Sequence, residues 1–282
     1  MPTSRRNFLK LLGAIGAVGG TLAITSKLNF NQQSLGRQNS ATEEEFPPQW
    51  VMMIDLEKCD GCQDKDISSC LEACAIMHYV PKRFKESGEP TEPSEPQAWI
   101  ELYEKEDNSL AGKYFLPRPC MHCESPPCLW VCPTGATFRN DEGLVLIDHR
   151  ICIGCRMCIA ACPYNARYFN WGEPEPWFGT REEEIEYAKQ LGAYSAEYPL
   201  PHQRGVVEKC DFCSHSAKNG QLPACVGACP GGALYFGNLN HDLVTNGTFQ
   251  TVPLSDTVKE RMGYRLQEEL GTKPRIFYLP KR

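Results

Sequence analysis

Sixteen cysteines carry the chemistry of this chain, and all of them fall into four groups of four. The most compact group is Cys152, Cys155, Cys158 and Cys162, closed by Pro163 in the spacing C-x2-C-x2-C-x3-C-P. Thiols this close in sequence can converge from one tight loop onto three corners of a small [4Fe–4S] cube. In this spacing the fourth thiol is sent to a neighbouring cube. Gly154 permits a turn that a Cβ would restrict, and Pro163 stops helical continuation after the fourth thiol. The other groups are Cys59, Cys62, Cys70 and Cys74; Cys120, Cys123, Cys128 and Cys132; and Cys210, Cys213, Cys225 and Cys229. Each opens C-x2-C and closes C-x3-C, and only the middle gap differs: seven, four, two and eleven residues in chain order. No thiol is left over, so four [4Fe–4S] clusters are expected, with all sixteen cysteines as ligands.

Loops of this kind need short elements on either side to hold them. Trp50 to Asp55 reads as a strand feeding the first quartet. The pattern I-D-x3-C-x-G-C occurs from Ile54 to Cys62 and again from Ile147 to Cys155, which is an internal repeat. A second repeat, C-P-x2-A-x-[FY], follows the last thiol of three quartets: Cys132 to Phe138, Cys162 to Tyr168 and Cys229 to Tyr235. Its alanine is expected to pack close to the thiols and its aromatic to begin a strand that shields them. The first quartet departs, because Cys74 is followed by Ala75 and a helix through Ser69–Met77 runs on toward Pro81. Asn140-Asp141-Glu142-Gly143 forms the turn of a hairpin between the second and third quartets.

The expected fold is α+β, with two nested two-[4Fe–4S] modules built from short hairpins, short helices and loop insertions. Only 19 residues lie between Cys132 and Cys152, so the second and third quartets most simply form one inner module. The first and fourth then pair across it as an outer module. Under ligand exchange, Cys132 joins Cys152, Cys155 and Cys158, and Cys162 joins Cys120, Cys123 and Cys128. Likewise Cys74 joins Cys210, Cys213 and Cys225, while Cys229 joins Cys59, Cys62 and Cys70. The boundaries that follow are a leader at 1–24, a flexible linker at 25–49 and the first outer half at 50–78. An insertion at 79–113 and the inner module at 114–170 come next, then a second insertion at 171–204 and the second outer half at 205–237. A C-terminal helix and strand occupy 238–282. Within the insertions, a strand is expected at Ala98–Glu104 and a helix near Arg181–Leu191 with an acidic start. Val258, Met262, Leu266 and Leu270 recur every four residues and predict a C-terminal helix stopped by Gly271 and Pro274; Arg275–Leu279 reads as a closing strand.

Two other uses of the thiols compete. All-cysteine zinc sites use paired C-x2-C knuckles, but zinc does not need the third thiol of C-x2-C-x2-C or a proline after the fourth. Disulfides suit an oxidising compartment, yet pairs at x2 and x3 spacing close only tiny loops. His122, between Cys120 and Cys123, is expected to face solvent or to tune a cluster by hydrogen bonding rather than to bind iron. His78, His149, His202, His215 and His241 show no metal spacing. Trp50, Trp130, Tyr168, Phe169 and Trp171 read as packing around the clusters. No catalytic triad order, phosphate loop or paired-carboxylate signature occurs, so the chain reads as an electron carrier rather than an enzyme.

The 282 residues are 41% apolar with a net charge of −6. That acidic balance argues against nucleic acid as a partner. The leader reads Ser4-Arg5-Arg6-Asn7-Phe8-Leu9-Lys10, followed by an apolar Gly- and Ala-rich run to Ile24. Twin arginines before a short hydrophobic region are an export address for folded proteins, and the run is too short and too glycine-rich for a typical span. The expected location is the periplasm or the outer face of the cytoplasmic membrane.

From Trp50 onward the chain resembles the four-cluster iron–sulfur subunits of complex iron–sulfur molybdoenzymes and related quinone-linked complexes. Polysulfide, tetrathionate and dimethyl sulfoxide reductases have such subunits, as do nitrite-reductase electron-transfer proteins. The resemblance rests on Arg118–Cys123, Pro127–Ala136, Ile151–Pro163, Val206–Cys213 and Gly271–Leu279. It implies the nested pairing and a row of clusters passing single electrons. The partners implied are a multispan quinone-interacting membrane subunit and a molybdopterin catalytic subunit or multihaem cytochrome. One departure is the seven-residue gap between Cys62 and Cys70, where the usual gap is two. The rival readings are a soluble periplasmic polyferredoxin and, in another class, a zinc-stabilised interaction scaffold.

Overall fold

The structure, a computed structural model, describes residues 46–80, 99–107, 112–172, 179–190, 195–199 and 202–282. The twin-arginine leader and most of the expected linker lie outside the described residues, as does Pro81. Among the described residues no helix is long and apolar enough to cross a membrane.

A strand leads into each quartet. β1 (Trp50–Asp55) precedes the first, and α1 (Ser69–His78) then carries Cys70 and Cys74. Tyr79, in the left-handed region at φ 53°, ends that helix. β2 (Ile100–Asp107) and β3 (Gly112–Pro119) form a hairpin before the second quartet, whose Cys128 sits on α2 (Pro127–Trp130). β4 (Thr137–Arg139) and β5 (Val145–Ile147) are the expected hairpin, with Gly143 at φ 77° in its turn. α3 (Met157–Ala160) carries Cys158, and β6 (Tyr168–Phe169) and α4 (Arg181–Gln190) follow. β7 (Val207–Glu208) leads into the fourth quartet, held by α5 (Ser214–Lys218) and α6 (Ala224–Gly227). β8 (Leu234–Asn238), β9 (Leu243–Asn246), β10 (Thr251–Pro253), α7 (Leu254–Glu260) and β11 (Ile276–Leu279) complete the chain.

The strand after one quartet pairs antiparallel with the strand before the next. β2 pairs with β3, β4 with β5 and β6 with β7. The series closes on itself, because β8, after the fourth quartet, pairs with β1, before the first. The I-D repeat explains two of these junctions. Asp55 donates its N–H to the Ala233 carbonyl and Asp148 donates its N–H to that of Ala136, both at 2.8 Å. Each aspartate then accepts from the backbone two residues on, Glu57 at 3.1 Å and Arg150 at 3.0 Å. Such Asx turns redirect the chain from strand into cysteine loop. β11 adds in parallel to the other side of β1, giving a five-stranded sheet in the order β10-β9-β8-β1-β11. The core beneath it includes Met52, Ile54, Phe212, Leu234, Phe236, Ile276 and Tyr278.

One expectation is corrected. The long C-terminal helix does not form: α7 stops at Glu260, Met262 turns left-handed at φ 53°, and only Glu268–Leu270 coils again, as a 3-10 turn. The apolar period of four is overridden because Tyr264 bridges Tyr278, which needs extended chain. A Cβ on Gly263 would also sit 3.0 Å from Leu279 and 3.1 Å from Val258. The end of the expected tether is anchored. Gln49 accepts from the Leu239 N–H at 2.8 Å and donates its side-chain amide to the Asp141 carbonyl at 2.7 Å.

Gly237 lies where β8 meets β9, and a Cβ there would overlap the Leu243 carbonyl and come within 2.8 Å of Val244 Cα. Gly237→Ala is therefore expected to cost about 1–3 kcal/mol through overpacking, measured as a lowered midpoint of thermal unfolding; an unchanged midpoint would contradict this close packing.

Candidate metal centre

All four C-x2-C loops use one backbone device. The residue before the second cysteine is left-handed in each: Gly61 (φ 73°), His122 (φ 41°), Gly154 (φ 64°) and Phe212 (φ 58°). At Gly154 a Cβ would overlap the Gly205 carbonyl and lie 2.8 Å from Phe169, so the glycine serves close backbone approach as well as conformation. Where the residue is not glycine, packing holds the strain. The rings of His122 and Phe212 lie 4.0 Å apart. His122 is fully buried; Val145 donates its N–H to Nδ1 at 3.1 Å, which leaves Nε2–H to donate to the Cys210 carbonyl at 3.0 Å. Burial, with Lys209 nearby, holds this imidazole well below its ordinary pKa. His122 is therefore neither a ligand nor solvent-facing: it ties the second quartet to the fourth.

The sixteen thiols gather in four places, and each place draws on two quartets. Burial raises Cys59 to about 11, and the neighbouring thiols of Cys229 and Cys62 add to this. Burial likewise raises Cys70 to about 12, with Cys229, Cys59 and Cys62 around it. Cys74 is raised well above the ordinary value by burial and then by Cys210, Cys225 and Cys213. Cys123 is pushed to about 12 by burial and Cys120, with Cys128 and Cys162 adding to the rise. Cys132, Cys152, Cys155 and Cys158 line one cavity. The C-x3-C spacing produces this exchange. In α1 the two cysteines lie one helical turn apart, about 6 Å along the axis, whereas in the other three quartets the last cysteine follows the end of its short helix, so each segment feeds two adjacent groups.

Backbone and side-chain donors point at the sulfurs. Ala233 donates its N–H to Cys229 Sγ at 3.3 Å and Thr137 to Cys132 Sγ at 3.4 Å. The repeat alanines Ala136, Ala166 and Ala233 are all buried. Across the long gap after Cys62, Lys65 donates to Ser69 Oγ at 2.7 Å and Ser68 to the Gly61 carbonyl at 2.7 Å. That loop is compact despite its length.

Sequence reading missed three groups of residues. Arg167 occupies a variable position of the C-P-x2-A-x-[FY] repeat, yet it is buried and donates to Cys128 Sγ at 2.9 Å and Thr137 Oγ1 at 3.1 Å. His78 Nε2 lies 3.1 Å from Cys213 Sγ and 3.6 Å from an Asp211 oxygen. Behind it, His202 Nδ1 lies 2.6 Å from Glu208. Burial works to raise the Glu208 carboxyl, but His202 and His149 outweigh it and hold the group below its ordinary value. No histidine spacing signals this cluster, because its members come from four separate segments. The aromatics divide. Trp50 stacks on Phe236 at 5.2 Å, as expected of packing, whereas Trp130 is 69% exposed at the end of α2 and Trp171 is 51% exposed. Trp171 instead receives the Arg156 guanidinium at 4.5 Å from its ring.

The donor set fits iron–sulfur clusters. No two of the sixteen cysteines are joined in a disulfide. Each gathering is four soft sulfurs, the donor type that clusters use. Burial makes an isolated thiolate costly in most of these places, so a cationic core is what would let the sulfurs ionise.

Comparison with known proteins agrees. A family model described as a 4Fe-4S dicluster domain matches residues 111–175 and 180–239. One subunit of the selenate reductase of Mesobacillus selenatarsenatis is 39% identical over 241 residues, covering 82% of this chain and 72% of that protein. The menaquinone reductase iron–sulfur cluster-binding subunit of Nitratidesulfovibrio vulgaris is 35% identical, covering 85% and 91%. One subunit of the tetrathionate reductase of Salmonella typhimurium is 31% identical, covering 99% and 89%.

His122→Leu removes the partners of two buried backbone groups and places a branched side chain in the left-handed region. A loss of about 2 kcal/mol or more is expected, read as a lower denaturant midpoint than the parent protein; equal midpoints would show that His122 does not bind the two quartets together.

Proposed function

The chain belongs to the 4Fe-4S iron–sulfur subunits of reductase complexes such as those for tetrathionate, selenate, dimethyl sulfoxide and menaquinone, and from that footing we propose that it is their non-catalytic electron relay. Four [4Fe–4S] clusters are held by Cys59, Cys62, Cys70 and Cys229; by Cys74, Cys210, Cys213 and Cys225; by Cys120, Cys123, Cys128 and Cys162; and by Cys132, Cys152, Cys155 and Cys158. When bound, each cluster supplies a centre that accepts and releases one electron. The two modules are nested, with the second and third quartets inside the first and fourth.

The observation that carries this reading is the order in which the thiol groups adjoin. Cys225 of the second group feels Cys70 of the first, and Cys210 of the second feels Cys120 of the third. Arg167 lies among Cys128 of the third and Cys158 of the fourth. The groups therefore run in a line, and the ends of the line approach solvent. Cys155 is exposed and Cys59, Cys229, Cys132 and Cys152 are half-buried, whereas in the two middle groups every cysteine but the half-buried Cys162 is buried. A line with accessible ends and a protected middle suits relay between two partners. Those partners are a quinone-interacting membrane subunit and a catalytic subunit, of molybdopterin type, or a multihaem cytochrome. Arg5 and Arg6 support export by the twin-arginine route and a place at the outer face of the cytoplasmic membrane.

Anaerobically purified protein is expected to contain about sixteen iron and sixteen acid-labile sulfide per chain, and to show four one-electron centres by electron paramagnetic resonance after reduction. A colourless, iron-free and magnetically silent preparation would sink the proposal, and isolation from membranes without any co-purifying redox subunit would favour a free polyferredoxin instead.

A further inference from the structure

Arg167 is a buried cation with no carboxylate partner among the described residues. Only 3% of it is exposed, and none of the salt bridges among the described residues includes it. An uncompensated buried charge costs several kcal/mol, so the compensating charge must come from something else in contact. The contacts are sulfur. Nη2 donates to Cys128 Sγ at 2.9 Å and Nη1 donates to Thr137 Oγ1 at 3.1 Å; Thr137 in turn donates its N–H to Cys132 Sγ at 3.4 Å, and Cys158 lies beside the guanidinium. Cys120 and Cys162 are the other charged neighbours. Cys120, Cys128 and Cys162 belong to the third thiol group and Cys158 to the fourth.

We propose that Arg167 is a fixed positive charge shared by the third and fourth clusters, setting the reduction potentials of both. The proposal rests on the ligand sets given above. Its physics is simple. Each reduction adds one electron and one negative charge to a cluster, and a cation bonded to that cluster's sulfur stabilises the reduced state. Hydrogen bonds to sulfur and local charge are the protein's levers on cluster potential. A guanidinium keeps its proton at any working pH, so the electron enters without a proton having to follow. Because one side chain bonds a sulfur of the third group and lies beside Cys158 of the fourth, it raises both potentials. Arg167 thus acts by its charge on two adjacent centres at once.

The test is a redox titration of the full chain with its clusters, using dithionite as the electron donor and following the paramagnetic signal of each centre. In Arg167→Met and Arg167→Gln, two of the four centres are expected to shift to lower potential by at least a factor of ten in the reduction equilibrium, 59 mV for one electron. The other two stay in place, and Arg167→Lys restores most of the shift. Iron-replete neutral variants in which no centre moves, or only one, overturn the proposal. If both neutral variants lose iron, selective loss of two clusters that Arg167→Lys retains supports it, whereas equal loss in Arg167→Lys marks a packing role and overturns it. An iron-free parent protein, by contrast, removes the relay reading itself, so the two failures are distinguishable.

Discussion

Most of the sixteen thiols sit where water cannot stabilise their charge, and that single constraint shapes the rest of the molecule. A thiolate in such a place must be answered by metal, by a hydrogen-bond donor or by a buried cation. The loops supply the second answer through backbone N–H groups such as those of Ala233 and Thr137, and Arg167 supplies the third. The four left-handed residues before the second cysteines serve the same end. They fold each C-x2-C segment tightly, at a conformational cost that packing of the His122 and Phe212 rings offsets.

The second organising rule is the three-residue spacing between the last two cysteines of each quartet, set on or just past a short helix. It assigns neighbouring thiols of one segment to different gatherings, so that no quartet is self-sufficient. Strand pairing follows the same logic, since each strand leaving a quartet joins the one entering the next, and β8 returns to β1. The two dependencies reinforce one another. The strands hold the loops in register, and the loops share their sulfurs across the strand junctions.

What could be read from the residues alone was whatever is local. β1, α1, the 136–148 hairpin and α4 follow from short patterns of burial, capping and turn chemistry, and the structure has them close to their expected bounds. The C-terminal period of four misled because Tyr264 finds a distant strand partner in Tyr278, and that contact outweighs helix propensity. At the site, the glycines Gly61 and Gly154 announce their left-handed turns, but His122 and Phe212 do not, since a non-glycine residue is uncommon in that region. Arg167 and the His78, His202 and Glu208 cluster were hidden for a related reason. Their roles depend on partners contributed by other segments, and no spacing within one stretch encodes such a meeting.

β1 lies between β8 and β11, both of which come later in the chain by most of the described length. Both strands that enclose β1 are therefore made long after it, as is Cys229, which lies beside Cys59 and Cys70. The β4–β5 hairpin region, by contrast, has its local partners early. β1 therefore depends on pairings of long sequence separation, the kind that form slowly.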